Sequence, residues 1–265
     1  MAQKNIILGI DTGGTYTDAA VIDAGAHRIL AAAKSITTKG DLAIGVGLAM
    51  AAAVETLKGT VKPADIRLVC VSTTLATNAV VEGHGTAAGV ILIGFDEAMV
   101  AKTGIAAAFP GLPIVVVAGG HDHNGEELRA LDVAQLGEEV LRISPQVSAF
   151  AIASSFAVRN NAHETQARDL VVTLTGKPVT ISSELSNALD APRRALTALL
   201  NARLISRITH LIEAVRRAMD GLGIAGGLMV VKGDGTLANA ESVAMRPIET
   251  VLSGPAASLI GAKWL

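Results

Sequence analysis

Apolar and polar positions alternate in short runs from the start of the chain. Ile6-Ile7-Leu8-Gly9-Ile10 leads to a polar turn, and Ala19-Ala20-Val21-Ile22 follows it. Residues 5–11 and 16–23 are therefore expected to be strands around a glycine-rich turn, with a third strand over 27–36. Residues 41–57 have the length and composition of a helix. Beyond them the pattern predicts a buried strand near 66–72, a helix over 75–82, a strand over 87–93, and a strand within 110–120 closed by Gly119-Gly120. A helix over 132–142, a strand over 147–153 and a helix over 161–175 come next. A short strand at Val179–Ser182, a long helix over 191–220, a strand at Leu228–Lys232 and a turn at Asp234-Gly235 complete the series. This is mixed α/β. Its hairpin-linked opening strands depart from a Rossmann unit, whose first strand feeds straight into a helix. Gly119–Gly125 and Ser182–Arg193 are the candidate boundaries. The long helix after the second can link two lobes, which predicts an N-terminal domain over 1–185 and an interdomain helix with the beginning of a second domain over 186–265.

Half of the 265 residues are hydrophobic and 17% are charged, enough to bury a substantial core. Aromatic residues make up only 2%, so Ala, Val, Leu and Ile must fill that core. Lys and Arg total 22 against 24 Asp and Glu, a balance that argues against broad electrostatic attraction to nucleic acid or an anionic membrane. The opening apolar run is too short to span a bilayer, and Gly45, Gly47 and Glu55 interrupt the Ala-rich stretch Leu42–Leu57. The single Cys70 excludes an intrachain disulfide and suits a reducing cytoplasm. Its neighbours Leu68, Val69 and Val71 favour a buried structural thiol.

The densest polar signal is Asp11-Thr12-Gly13-Gly14-Thr15-Tyr16-Thr17-Asp18. Adjacent Gly13 and Gly14 suit positive φ and a close approach of ligand to backbone. Successive N–H groups in such a turn can converge on an anion. Thr12, Thr15 and Thr17 add hydroxyl donors, and Asp18 adds a second carboxylate. Asp11, at the strand end, is placed to orient magnesium through water, since that ion gives up its hydration shell reluctantly. An ordinary hairpin would explain the Gly-Gly pair alone. The strand, the two Asp and the three Thr together favour phosphate. The P-loop pattern GxxxxGK[ST] does not occur.

Other constellations leave alternatives open. Thr73 or Thr74 can cap a helix carrying Asn78 and Glu82 on one face, as simple capping or as part of a cleft. On an extended chain His121 and His123 share a face, with Asp122 turned away. They are candidate ligands of a second divalent metal, with a polar surface loop as the alternative. His163-Glu164 reads as a general-base pair or as a first-turn helix acid. Arg193-Arg194 and Arg216-Arg217 read as a solvated helix face.

The run Ile7 to Asp18 resembles the first phosphate motif of the hydantoinase A/5-oxoprolinase family, within the sugar kinase, Hsp70 and actin superfamily. Similar segments follow in the family's order. Ser72 to Gly83 resembles its GTTxATNAxxE segment, and Ser155-Phe156-Ala157 with Ala162-His163-Glu164 its SFxxxxHE segment. Ser182-Ser183-Glu184 and Thr197 to Ala202 resemble the stretch leading into its interdomain helix, and Ser253-Gly254-Pro255-Ala256 its SGPA turn. The resemblance covers essentially the whole chain.

The resemblance implies an α/β fold: a ribonuclease-H-like (actin-like ATPase) lobe with a mixed sheet and a β-hairpin phosphate turn, plus the start of a second lobe. It implies ATP and Mg2+ as cofactors of a cytoplasmic hydrolase subunit. That subunit would open a hydantoin, 5-oxoproline or similar lactam through a phosphorylated intermediate. A B-type partner subunit is implied, with room for a homo-oligomer. Asp11, Thr74 and Asn78 are placed in the active cleft, and Thr12, Gly13, Gly14, Thr15, Thr17 and Asp18 around the phosphates. Family members carry a second Asp-Gly-Gly-Thr-type motif shortly after SGPA. None occurs before Leu265, so this length is expected to supply one of two phosphate loops. ATP-dependent ketone carboxylation, a small-molecule kinase and a non-enzymatic nucleotide-binding protein of the actin or Hsp70 type stand as alternatives.

Overall fold

A computed structural model describes residues 5–264 except 39, 40, 58 and 84. In chain order the elements begin with β1 (Ile6–Thr12), β2 (Tyr16–Asp23), β3 (Arg28–Ile36), α1 (Leu42–Thr56), β4 (Ile66–Thr73) and α2 (Leu75–Val81). Then come β5 (Ala88–Ile93), α3 (Glu97–Lys102), α4 (Ile105–Ala108), β6 (Ile114–Val117), α5 (Val133–Ile143), β7 (Ala149–Ser154), α6 (Ala162–Thr175), β8 (Val179–Ile181) and α7 (Ala191–Leu222). The chain closes with β9 (Gly227–Val231), β10 (Leu237–Asn239), α8 (Ala240–Met245) and α9 (Ser253–Trp264).

Two compact units form, Met1–Glu82 with Ser206–Leu265, and Gly83–Ile205. The second is an insertion within the first, and the boundary expected at 185–186 falls inside it. A pattern read along the chain marks elements but not which distant ones pack together, so the two crossings of an insertion leave no local trace.

In the first unit the sheet order is β10-β9-β4-β1-β2-β3. β1, β2 and β3 form an antiparallel meander, while β4 runs parallel to β1 and β9 parallel to β4. Ile6, Leu8 and Ile10 alternate into a core with Val46, Met50, Val69, Leu211 and Val215, which joins the sheet to α1 and to the end of α7. Asp41 caps α1 by accepting from the Ala43 N–H at 2.9 Å.

The second unit is an all-parallel sheet, β6-β5-β7-β8. β5 is buried at every position, as a parallel strand covered on both faces must be. Ile91 and Ile93 pack with Leu136, Val140 and Val171 of α5 and α6. Val90 and Leu92 pack with Ile105, Ala198 and Ala202 of α4 and α7. Small alanines here let a helix approach the sheet closely, which is how a core poor in aromatics fills.

The helices Glu97–Lys102, Ile105–Ala108, Ala240–Met245 and Ser253–Trp264, and strand β10, were not anticipated from the sequence pattern. Ser253-Gly254-Pro255 reads as a turn, but proline is tolerated in a helix's first turn, where its missing N–H has no intrahelical partner anyway.

Candidate functional site

The two-residue period of β1 decides what each member of the glycine-rich segment can do. Ile6, Leu8, Ile10 and Thr12 face the core, while Gly9 and Asp11 lie on the other face. There they line an open concavity of about 360 Å³ with Asp18, Ala20, Cys70 and Ser72. The Ser72 hydroxyl donates to Asp11 Oδ1 at 2.6 Å, fixing one carboxylate oxygen. The expectation that three threonine hydroxyls serve the phosphates needs correction. Thr12 and Thr17 are fully buried, and the Thr17 hydroxyl pairs with that of Thr37 at 3.0 Å. Thr15 alone of the three is exposed.

The reason expected for the two glycines also changes. Neither takes a positive φ. The Gly13 N–H instead donates to Tyr16 O at 2.9 Å, and a Cβ on Gly13 would lie 3.0 Å from that same oxygen. A Cβ on Gly14 would lie 3.4 Å from Asn78 Nδ2. Both positions are small because neighbours come close. Asp18 stands opposite Lys34 in the sheet register and pairs with it at 3.1 Å. This pair is about half exposed and contributes at most about 1 kcal/mol.

Three further elements converge on this turn. The Thr74 N–H donates to Thr12 O at 3.1 Å. Thr73, rather than Thr74, supplies the capping hydroxyl of α2, accepting from the Leu75 N–H at 3.1 Å. Thr74 and Asn78 lie half-buried one helical turn apart, with Asn78 Nδ2 3.5 Å from Thr74 Oγ1. The SGPA segment arrives from far along the chain. Ser253 Oγ donates to Thr73 O at 2.9 Å and accepts from the Thr73 N–H at 3.3 Å. The Leu252 N–H donates to Thr77 Oγ1 at 2.8 Å, with Leu252 held at φ 66°. A Cβ on Gly254 would stand 3.3 Å from Thr74 Cγ2 and 4.0 Å from Asp11 Oδ1. The first turn of α9, with the positive end of its dipole, thus lies beside the Asp11 carboxylate. Sequence reading gave Ser72, Thr77 and Ser253 no role of their own. Their only signal was membership of the matched segments.

Cys70 in the concavity is half-buried rather than fully enclosed, and burial pushes its thiol up to about 11. That leaves it protonated and unreactive near neutrality.

In the second unit the expected His121–His123 pair does not share a face. Asp122 accepts from the Asn124 and Glu126 N–H groups and winds the chain into a turn, so extended geometry is lost at His123. His121 is 2% exposed, whereas His123 is exposed. Among the described residues no three His, Cys, Asp or Glu side chains are grouped to hold a metal ion. His121 packs against His163 instead, ring centroids 4.3 Å apart and planes tilted by 43°. His163 and Glu164 also part company. His163 pairs with Glu127 at 2.8 Å. Glu164 is fully buried and accepts from the Ser154 N–H, Ser182 Oγ, and the Ser183 N–H and Oγ. Arg194, expected on a solvated face, is 1% exposed and donates to Ser182 Oγ, Ala188 O and Ser154 O. Arg216 and Arg217 are exposed as expected.

Comparison with known proteins bears on this arrangement. Residues 7–174 match the hydantoinase/oxoprolinase N-terminal region, and residues 194–265 match hydantoinase/oxoprolinase. The chain belongs to the hydantoinase/oxoprolinase family. This hydantoinase/oxoprolinase chain is 28% identical over 275 residues to the caprolactamase subunit alpha of Pseudomonas jessenii, covering 97% of its own length and 40% of that protein's. It is similar to the crystal structure of ATP-dependent caprolactamase from Pseudomonas jessenii, with TM-score 0.79 and 25% identity over 95% of this chain and 39% of that one. It is similar in fold to nucleotide-free acetone carboxylase, with TM-score 0.82 and 21% identity over 98% and 40% of the two chains. The chain thus spans about two fifths of the length of these relatives. The α/β, ribonuclease-H-like architecture implied by the resemblance is the one observed. Among the described residues no helix is long and apolar enough to cross a membrane.

Proposed function

We propose that this chain carries a phosphate-binding lobe of an ATP-dependent enzyme that opens a cyclic amide such as a hydantoin, 5-oxoproline or a related lactam. The observation that carries this reading is the Asp11 carboxylate, held by Ser72 and facing an open concavity beside the Gly13-Gly14 turn and the start of α9. The 28% identity to a caprolactamase alpha subunit supports it.

An unstrained lactam is a poor electrophile. Transfer of the γ-phosphoryl group of ATP to the amide oxygen, with release of ADP, makes the carbon electrophilic. Water adds to it, the ring C–N bond breaks as the nitrogen takes a proton and leaves as the amine, and a second water hydrolyses the acyl phosphate to carboxylate and inorganic phosphate. The donor set is a carboxylate and a hydroxyl, hard oxygen groups that suit magnesium held through water. Magnesium bound there would offset negative charge on the transferring phosphoryl group. In this reading Asp11 orients that ion, and the backbone of Gly13, Gly14 and Thr15 approaches the phosphates. Thr74 and Asn78 border the reacting groups, and Asp18 with Lys34 fixes the second strand of the hairpin. A B-type subunit serves as partner, in a cytoplasmic complex.

The test is lactam-dependent ADP release by the whole enzyme, with the ring-opened amino acid identified by mass spectrometry. Asp11→Asn should lower turnover by about a hundredfold, the scale of losing one electrostatic contact to a transition state. Undiminished turnover in Asp11→Asn, or ATP-dependent fixation of bicarbonate on a ketone in place of ring opening, would refute the proposal.

A further inference from the structure

The face of the first sheet that carries Asp11 is built in rows. β1 presents Ile7, Gly9 and Asp11 there. Ile22, Ala20 and Asp18 of β2 stand opposite these three on one side, and Leu68, Cys70 and Ser72 of β4 on the other. Each strand thus places a large apolar residue, a small one and a polar one in the same order. The small middle row sinks the floor of the concavity of about 360 Å³, which Gly9, Ala20 and Cys70 line beside Asp11, Asp18 and Ser72.

Gly9 is the unusual member. It sits in the middle of a strand, where glycine weakens pairing and a β-branched residue would strengthen it. The fold of this unit does not ask for glycine there. Its φ is not positive, and among the described residues an added Cβ would meet only Ala20 O, at an ordinary 3.9 Å. Gly13 and Gly14 differ, since neighbours come close to both. A strand-interior glycine over an open cavity marks a place where something approaches the backbone.

We infer that this concavity seats the substrate ring and that Gly9 determines which ring fits: a methylene-rich lactam, for which the missing Cβ leaves room. This rests on the lactam reading above. The floor has little to offer a phosphate. β1 lies between β2 and β4, so its backbone N–H groups are taken up in the two ladders, and the side chains of the small row are apolar. A lactam is two-sided in the same way as the concavity, with an amide edge and a methylene edge. With its methylenes on Gly9, Ala20 and Cys70, its N–H and C=O face the row of Asp11, Asp18 and Ser72, where a carboxylate accepts the N–H. Hydantoin carries polar groups on both sides of its ring and matches the floor less well. The volume lies at the low end of the range of about 300–1,000 Å³ for small-molecule pockets, which suits one small ring.

Two readouts in the whole enzyme test this. The first is the rate at which iodoacetamide alkylates Cys70 at pH 8, followed by mass spectrometry on the peptide that carries it. ε-Caprolactam should slow that rate saturably, and at lower concentration than hydantoin does. ATP with magnesium alone should leave it unchanged. The second is the KM for ε-caprolactam in lactam-dependent ADP release. Gly9→Val should raise this KM, and the concentration for half protection of Cys70, by about tenfold or more, the scale of a methyl group or two in a fitted pocket. The KM for ATP should not move. Gly9→Ala should give a smaller rise of the same kind, and serves if the valine variant does not fold. Both variants should keep or raise Tm, because the new side chain enters open space and the strand gains from it. A fall in Tm with Gly9→Ala would show that another segment of the protein packs on the floor, and overturns the site. So does protection of Cys70 by ATP alone, protection by hydantoin as tight as by ε-caprolactam, or an unchanged KM and half-protection in both variants. The underlying reading fails separately. Saturable protection by ε-caprolactam without ADP release sinks the enzymatic reading alone, and ADP release with Cys70 indifferent to the lactam sinks this site alone.

Discussion

Replacing Arg194 by alanine should be among the most damaging single changes in the second unit, and its cost can be worked from the contacts. The guanidinium reaches the end of β7, the 3-10 turn at Ser182–Glu184 and the loop before α7, donating to Ser154 O at 2.9 Å, Ser182 Oγ at 3.2 Å and Ala188 O at 2.6 Å. Ala188 is exposed, so water replaces that donor. Ser154 is fully buried, and its carbonyl would lose this donor at a cost of about 1–3 kcal/mol. The buried Glu164 carboxylate would lose its neighbouring positive charge, reached through Ser182 Oγ, which donates to Glu164 Oε1 and accepts from Arg194 Nε. Breaking a buried charge arrangement on one side costs about 3–5 kcal/mol in total. Four donors remain on Glu164, which places the expected loss near 3 kcal/mol, or roughly 6–12 °C in Tm. Arg193→Ala is the control. Its side chain is exposed, and its loss should stay within about 0.5 kcal/mol. Urea denaturation followed by far-ultraviolet circular dichroism measures both, and hydrogen exchange at the β7 amides localises the change to this unit. Combining Arg194→Ala with Glu164→Gln should cost less than the sum of the two, since each removes the other's partner. Equal stability of Arg194→Ala and Arg193→Ala would show that the network contributes nothing, and that the Ser154–Ser155 end of β7 is held some other way.

Three further outcomes follow from single contacts. Ser253→Ala removes both hydrogen bonds to Thr73 and should cost about 1–3 kcal/mol in the first unit; a change within measurement error would mean that α9 is seated by apolar contact alone. Gly13→Val should destabilise the hairpin by about 1–3 kcal/mol and weaken nucleotide binding in the whole enzyme, because its Cβ would stand 3.0 Å from Tyr16 O; a Kd equal to that of the unmodified protein by calorimetry would place the phosphates elsewhere. Cys70, the one cysteine, should react with iodoacetamide at pH 8 on the order of a hundredfold more slowly than an unburied thiol. Its raised value also fixes the sign of the pH effect on folding. The contribution is fully present below pH 9 and is lost as pH climbs toward 11, because the unfolded chain gives up the proton first. Rapid alkylation at pH 8, or stability flat across that window, would contradict the burial.

What the sequence determined by itself was whatever repeats over short range. Ile6, Leu8 and Ile10 at a spacing of two fixed β1 and its buried face, and with that face the outward placement of Asp11 two residues on. Asp11 to Asp18 marked the turn, and the segments in the family's order marked the family. The same period also carried the answer for Thr12, which shares the face of Ile10. Composition alone made it look like a ligand donor, and its position in the strand made it core. Contacts between distant residues were decided only by the tertiary structure. Ser253 meets Thr73 across 180 positions, Glu127 meets His163 across 36, and Arg194 reaches Ser154 across 40. Charged residues on a helix default to solvent in any local reading. Arg194 is buried because strand ends and a serine turn, brought together by parallel pairing of β7 with β8, offer it acceptors that no spacing along α7 reveals. The insertion of Gly83–Ile205 into the first unit is of the same kind. β9 pairs with β4 more than 150 residues away in sequence, so the first sheet takes strands from both sides of the insertion along the chain. That pairing depends on the shape of the completed sheet, and neither crossing of the chain carries a local signal of it.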